Sequence, residues 1–434
     1  MENYDSFISD SARISILGGG RTGLEVAKYL HQLKKNIFLS DCSEISQKAK
    51  QTLTSLEIPY EEGGHSDRVI DSDLLVVSPG VPLDLPVVSK AHEKNIPVLS
   101  EIELAFRLSS SKNIIAVSGT NGKTTTVRLI HNILRHLGVD VISCGNIGNP
   151  FIGELEKINE ETVLVLEVSS YQLEGIQSFK PRVAVLLNIS PDHIKRHGTL
   201  SEYKRAKFRL FENQTESDKA VINQKLELLE GAKIRSDIVR FGEQTIQGFP
   251  YCDHNRSNLS AALAAVKAWI DEERELNVPV SVIRDAIEVE HRMEHLGAYK
   301  GVEFFNDSKA TNPAASAAAI DSLEGPLWVL IGGRRKKSSG AYSDLLQKFS
   351  GEKVRGLSLF GECRKEIRRM ARFCRDDETR IYESERLKSA VIKVFKKAER
   401  GDVILLSPAC SSFDAYKNYK KRTADKNNVF RNIE

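Results

Sequence analysis

The 434 residues carry 62 Lys and Arg against 59 Asp and Glu, a formal net charge of +3, with 41% hydrophobic and 7% aromatic residues. At roughly 150 residues per domain the chain is too long for one compact domain and long enough for about three with buried cores. Such a composition excludes a disordered chain, and a charge so near balance gives no reason to expect a nucleic-acid partner. The opening MENYDSFISD places acids where a secretory signal needs basic residues and an apolar run. No later stretch approaches about 18 continuous apolar residues. A cytoplasmic chain with no membrane partner is expected. The six cysteines, Cys42, Cys144, Cys252, Cys363, Cys374 and Cys410, never fall in a Cys-x-x-Cys pair, so reduced thiols are expected.

Short β-branched runs alternate with longer amphipathic stretches along the whole chain, which is the pattern of parallel sheets with helical crossovers, so the fold class is α/β. The first domain is expected over 1–99, with strands Ile14–Leu17, Ile37–Leu39 and Leu74–Val77 and an end near Pro97–Ser100. Between its first strand and first helix lies Gly18-Gly19-Gly20-Arg21-Thr22-Gly23, and Asp41 follows the next strand. That is the glycine fingerprint of a Rossmann-like cradle, in which backbone N–H groups and a helix N-terminus face a diphosphate. A tight turn with no ligand is the plain alternative.

The second domain is expected over 100–289, with strands Ile114–Val117, Val163–Val168, Val183–Asn188 and Ala220–Asn223 and an Ala-rich helix at Leu259–Ile270. Its first strand runs into Ser118-Gly119-Thr120-Asn121-Gly122-Lys123-Thr124-Thr125 and then a helical pattern from Val127 to Leu137. Glycines turn backbone N–H groups toward an anion, the helix adds its dipole, Lys123 supplies a charge and the Thr124 hydroxyl suits Mg²⁺. The loop is shorter than the general G-x-x-x-x-G-K-[ST] form, since Val117 stands where that form has its first glycine. Two more strand ends point to the same sheet edge. Glu167 closes the run Val163–Leu166, and His193 follows Val183–Leu187 through Asn188-Ile189-Ser190-Pro191-Asp192. In a parallel sheet those ends share one edge, so Glu167 and His193 read as Mg²⁺ ligands beside a triphosphate. Taken singly, Glu167 could be a surface strand end and His193 a capping residue.

The third domain is expected over 290–434, with strands Glu303–Phe305, Leu327–Ile331, Leu357–Phe360 and Val403–Ser407. Its basic runs Arg334–Lys337 and Lys417–Arg422 are in the ordinary case solvated faces.

Four ordered motifs, Gly119 to Thr125, Glu167-Val168-Ser169-Ser170, Asn188 to His193 and His254-Asn255-x-x-Asn258, together resemble the Mur ligase family. The likeness runs across nearly the whole chain, because Asn306-Asp307-Ser308-Lys309-Ala310-Thr311-Asn312 and Ser407-Pro408-Ala409-Cys410 resemble strings of its D-glutamate-adding members. The resemblance implies three domains: a Rossmann-like N-terminal domain, a central P-loop ATPase-type parallel sheet and a Rossmann-like C-terminal domain. It implies ATP-dependent joining of D-glutamate to UDP-N-acetylmuramoyl-L-alanine through an acyl phosphate, in peptidoglycan precursor synthesis, by a monomer. It also implies two Mg²⁺ ions and a carbamylated lysine, matched by Lys207 in Tyr203-Lys204-Arg205-Ala206-Lys207-Phe208-Arg209. Gly119, Thr120, Asn121, Gly122, Lys123, Thr124 and Thr125 would bind ATP, with Asn255, Asn258, Arg292 and Asp307 at its base. Gly20, Arg21, Thr22, Asp41, Ser43, Ser78, Gly80 and Asn146 would hold the UDP substrate. Thr311, Lys336, Ser412, Phe413 and Tyr419 would hold D-glutamate, with Lys309 near the reacting groups.

Two stretches depart from the family pattern. Gly332-Gly333-Arg334-Arg335-Lys336-Lys337 replaces Gly-Gly-x-Asp-Lys-Gly, which loses an acid, and Thr423 replaces a C-terminal glycine. The rival readings are a ligase of the same superfamily adding another amino acid, or a folylpolyglutamate synthetase. A nicotinamide-dependent dehydrogenase would explain the first domain and leave the Gly119–Thr125 loop idle. A nucleotide switch would use that loop without needing Glu167, His193 and Lys207 together.

Overall fold

The structure is a computed structural model that describes residues 9, 11–192, 194–232, 234–242, 253–271, 276, 278–287, 293–334, 342–372 and 380–410. Its described residues form three sheets, as the alternating pattern predicts; the first and second belong to one compact unit and the third to another.

The first sheet contains β1 (Arg13–Leu17), β2 (Asn36–Asp41), β3 (Tyr60–Glu62), β4 (Leu74–Val77) and β5 (Val98–Ser100). All are parallel, in the order β3-β2-β1-β4-β5. Strand order reverses at β1, so the carboxyl ends of β1 and β4 flank the crevice where open α/β sheets take ligands. The helix Arg21–Gln32 leaves that point directly and buries Gly23, Val26, Ala27 and Leu30, an apolar stripe at helical spacing.

The second sheet contains β6 (Ile114–Ser118), β7 (Val141–Gly145), β8 (Val163–Glu167), β9 (Val183–Leu186), β10 (Lys219–Asn223) and β11 (Asp237–Phe241). It is also parallel, in the order β11-β10-β9-β6-β8-β7. Here β6 is the reversal point, and residues Ile114–Val117 are fully buried, as a strand covered on both faces must be.

These two sheets share a core. The helix Glu101–Leu108, which joins them, packs Ile102, Leu104 and Ala105 with Phe151 and Ile152 of the turn Phe151–Lys157 and with Val26 and Leu30. Two buried acids fasten the joint. The Glu103 carboxylate accepts backbone N–H bonds from Gln177, Ser178 and Phe179, each at 2.9 Å, and one from Arg107 Nε at 2.7 Å. Glu101 Oε1 accepts the Ile152 N–H at 2.9 Å. Burial outweighs the backbone N–H groups of Ile152 and Phe151 and pushes the Glu101 carboxyl up to about 7 from an ordinary 4.5.

The third sheet contains β12 (Glu294–Tyr299), β13 (Val302–Asn306), β14 (Leu327–Gly332), β15 (Val354–Phe360), β16 (Ile381–Ser384) and β17 (Val403–Leu406), in the order β12-β13-β17-β14-β15-β16. Strand alternation builds two cores: Leu327, Val329 and Ile331 face one, Trp328 and Leu330 the other. The sheet is mixed, because β12 runs antiparallel to β13. Lys300 and Gly301 both hold positive φ (52° and 79°), the two-residue turn that matches strand twist in a hairpin. The sequence reading did not single out β12, which is half-exposed and interrupted by Gly297.

Candidate active site

The turn after β6 is built as a phosphate cradle. Gly119 and Gly122 hold φ of +155° and +88°, and Gly122 leads into the helix Lys123–His136. A Cβ on Gly122 would lie 2.3 Å from Asn258 Oδ1, and one on Gly119 2.9 Å from Leu187 Cβ, so both glycines are required by space as well as by conformation. Asn188 holds the loop from outside. Asn188 Oδ1 accepts the Asn121 N–H at 2.8 Å, Asn188 Nδ2 donates to the Asn121 carbonyl at 3.0 Å, and the Asn188 carbonyl accepts the Thr120 N–H at 2.9 Å. Below it, Thr120 Oγ1 lies 3.1 Å from the hydroxyl of buried Tyr203.

Two ammonium groups converge on this loop. Lys123 Nζ donates to the carbonyls of Gly119 (2.8 Å) and Thr120 (2.9 Å), and Lys207 Nζ donates to the same Gly119 carbonyl at 2.8 Å. Lys207 is 1% exposed and stacks over the Tyr203 ring, 4.7 Å from its centroid. Cations this close, on backbone amides at a helix N-terminus, suit a polyanion.

At the end of β8, Glu167 is 3% exposed and fully engaged: Thr124 Oγ1 donates to Oε2 and Asn146 Nδ2 to Oε1, both at 2.7 Å. The pairing β6–β8 brings Thr124 and Glu167 together, since Val117 stands opposite Glu167 in the register. Among the described residues no cluster of three or more His, Cys, Asp or Glu occurs. A hydroxyl and one buried carboxylate at a phosphate loop fit Mg²⁺, which takes one or two carboxylates and completes its shell with phosphate oxygens and water. Asn255 and Asn258 are buried on the helix Asp253–Ile270. Asn258 Nδ2 is buried with no hydrogen-bond partner among the described residues.

The turn after β1 has the same glycine logic with a different lining. Gly18 holds φ +98°, and its carbonyl accepts the Ser78 hydroxyl at 3.2 Å. A Cβ on Gly23 would lie 1.8 Å from that carbonyl, so the third glycine permits the helix to touch the strand. Asp41, instead of standing open, accepts the N–H groups of Gly19 (2.6 Å) and Ser43 (2.8 Å). Gly20, Ser43 and Gly80 are exposed and Thr22 is half-buried. Arg21 reaches to the Gly148 carbonyl and, at 2.9 Å, to Asn149 Oδ1 in the segment that carries Asn146.

In the third sheet, Asp307, Lys309 and Thr311 follow β13, and Ser407–Cys410 follow β17 beside it. The two strings are cross-linked: Ser407 Oγ donates to Asp307 Oδ2 (3.1 Å) and the Ala409 N–H to the Ala310 carbonyl (3.0 Å). Arg334, in the departing basic run, forms a two-point ion pair with Glu362 at 2.7 and 2.9 Å, which holds the Glu362 carboxyl below its ordinary range.

Three family models match the chain: the Mur ligase middle domain at residues 117–249, the MurD N-terminal domain at 13–86 and the Mur ligase, glutamate ligase domain at 291–410. The UDP-N-acetylmuramoylalanine–D-glutamate ligases of Caldicellulosiruptor saccharolyticus and Clostridioides difficile are each 34% identical to it, over 94% and 96% of this chain and 96% and 98% of theirs. The chain belongs to the Mur ligase family. Solved Mur ligases share its fold: MurC of Thermotoga maritima, at 18% identity and TM-score 0.57 over 98% of this chain and 100% of that one, and the T. maritima MurF ligase in complex with ADP, at 16% and 0.59 over 91% and 95%.

Within this Mur ligase the structure brings Lys123, Thr124, Glu167, Asn146 and Lys207 together around one loop. His193, Arg292, Lys336, Ser412, Phe413 and Tyr419 lie outside the described residues. Two residues were missed as parts of the machinery. In the sequence Asn188 stands out only as the first residue of the Asn188–His193 motif, and Tyr203 only as a neighbour of Lys207. The signal for Asn188 was the one used for Glu167, a polar residue just past a strand that neighbours β6.

Proposed function

We propose that this Mur ligase couples ATP cleavage to joining D-glutamate to UDP-N-acetylmuramoyl-L-alanine, a step of peptidoglycan precursor synthesis in the cytoplasm. The relatives it matches over 94% of its length carry that activity in their names. The observation that supports the phosphoryl half is the convergence of Lys123 and Lys207 on the Gly119 carbonyl, beside the Thr124–Glu167 pair. ATP would phosphorylate the substrate carboxylate, and the amine of D-glutamate would displace phosphate from the acyl phosphate. Lys123 is positioned to stabilise charge on the transferring group, and the loop amides to hold the chain of phosphates. Thr124 and Glu167 would hold Mg²⁺, with His193 serving a second ion; bound there, magnesium neutralises phosphate oxygens.

Lys207 is read as the carbamylated lysine. Its amine sits buried against the loop, where exchange of a cation for an anion would replace direct pairing with metal orientation. Residues 1–99 are assigned to the sugar nucleotide, 100–289 to ATP, and 290–434 to D-glutamate through Thr311, Lys336, Ser412, Phe413 and Tyr419. The working form is read as a monomer. Among the described residues no helix is long and apolar enough to cross a membrane.

The test is phosphate release from ATP with UDP-N-acetylmuramoyl-L-alanine against a panel of amino acids. Release confined to D-glutamate is the expected result. Release with another amino acid, or with none, removes the assignment.

A further inference from the structure

Cys363 and Cys410 are 47 residues apart in sequence, with sulfurs 3.3 Å from each other in the structure. Both are buried and neither is in a disulfide. No Cys-x-x-Cys spacing announces this pair; the sheet makes it. Cys363 follows β15 and Cys410 follows β17, and both strands flank β14. The Cys363 N–H donates to the Gly333 carbonyl at 3.1 Å and the Gly332 N–H to the Pro408 carbonyl at 3.0 Å, so the turn after β14 sets the distance. The Tyr342 hydroxyl lies 3.4 Å from Cys410 Sγ, where it can donate to a thiolate.

We propose that Cys363 and Cys410 are a redox modification site, closed to a disulfide by a hydroperoxide and reopened by thiols, and that closure weakens the third domain's hold on its amino acid. The second half rests on the D-glutamate reading above; the first does not. In the first step the Cys410 thiolate attacks the peroxide oxygen, the O–O bond breaks, and the departing oxygen leaves as water or alcohol after taking a proton. Cys410 becomes a sulfenic acid. In the second step Cys363 attacks that sulfur, the S–O bond breaks and water leaves. Two thiols are oxidised and one peroxide is reduced.

A disulfide bond is about 2.05 Å long, so closure draws Cys410 toward Cys363. Cys410 ends the Ser407–Cys410 string, in which Ala409 holds a left-handed φ of +57° and donates its N–H to Ala310, one residue before Thr311. Pulling on Cys410 therefore pulls, through the Ala409–Ala310 bond, on the string that carries Thr311.

The experiment treats the full chain with hydrogen peroxide, blocks remaining thiols under denaturing conditions and maps peptides by mass, with KM for D-glutamate measured in parallel. A linked Cys363–Cys410 peptide is expected, together with a rise in KM of about tenfold that dithiothreitol reverses. Exposed Cys42 should be alkylated or oxidised separately. In Cys363→Ala the untreated KM should hold, peroxide should give no link, and a 1,3-dione probe should label Cys410. Separate alkylation of Cys363 and Cys410 after peroxide overturns the proposal, as does a linked chain with unchanged KM. The link is read by mass whether or not the chain turns over D-glutamate, so a silent ligase assay counts against the proposed function and not against the disulfide.

Discussion

The two glycine turns of the first and second sheets use the same backbone device to different ends. After β1, the helix is brought against the strand at Gly23, an acid takes the free N–H of Gly19, and Arg21 points away to Gly148 and Asn149. After β6, two lysines close on the loop and a carboxylate is set behind Thr124. A cradle lined by Asp41 suits a ligand that donates, such as ribose hydroxyls, while one lined by the Lys123 ammonium at a helix N-terminus suits a triphosphate. Glycine patterns announce that a backbone approaches something closely; the flanking charges state what it approaches.

The largest effect should separate the turns by function. Lys123→Ala should lower product formation by about 10³-fold, the scale of losing a main electrostatic contact to the transition state. Asp41→Asn should instead raise KM for the sugar nucleotide by about tenfold with little change in kcat. Steady-state kinetics reads both, and equal losses in kcat would erase the distinction.

Next in size is the joint between the two sheets. The Glu101 carboxyl binds its proton more tightly in the fold (about 7) than in the unfolded chain (4.5). Its contribution is therefore fully present below pH 4.5 and lost as pH rises through about 7. The total is about 3 kcal/mol. Glu101→Gln keeps an acceptor for the Ile152 N–H and removes the titration, so urea unfolding at pH 6 and 8.5 should show a flatter dependence and a more stable variant at the higher pH. A variant with the parent's slope would mean that Glu101 does not titrate there.

Packing at the first turn comes third. Gly23→Ala places a methyl 1.8 Å from the Gly18 carbonyl and should cost about 1–3 kcal/mol in thermal unfolding. The smallest effect belongs to Gly20→Ala, whose Cβ meets nothing within 4 Å and should stay within about 0.5 kcal/mol. A destabilised Gly20→Ala would show that this face of the turn is packed.

Most of the fold was legible because its central strands are continuous β-branched runs, buried on both faces. The strands that escaped are the two edge strands of each sheet: Tyr60–Glu62 and Val98–Ser100, with three residues each, Val141–Gly145 and Asp237–Phe241, and Glu294–Tyr299, which is broken by a glycine, with Ile381–Ser384. The phosphate loop could be read because each of its residues has one chemical purpose at fixed spacing. The Asn188 clamp and the Tyr203 support could not, since an amide or a phenol acquires a purpose only through what the sheet order sets beside it. The same holds for Cys363 and Cys410, which meet only because β14 lies between their strands.

The three hydrogen bonds at Asn188, two through its side chain and one through its backbone carbonyl, have a kinetic meaning. A loop tied in one shape before a nucleotide arrives gives up little conformational freedom on binding, so capture is governed by encounter rather than by rearrangement. Removing the two side-chain bonds with Asn188→Ala should leave the chemistry intact and slow the arrival of ATP, a defect visible in stopped-flow traces and hidden from assays run at saturation.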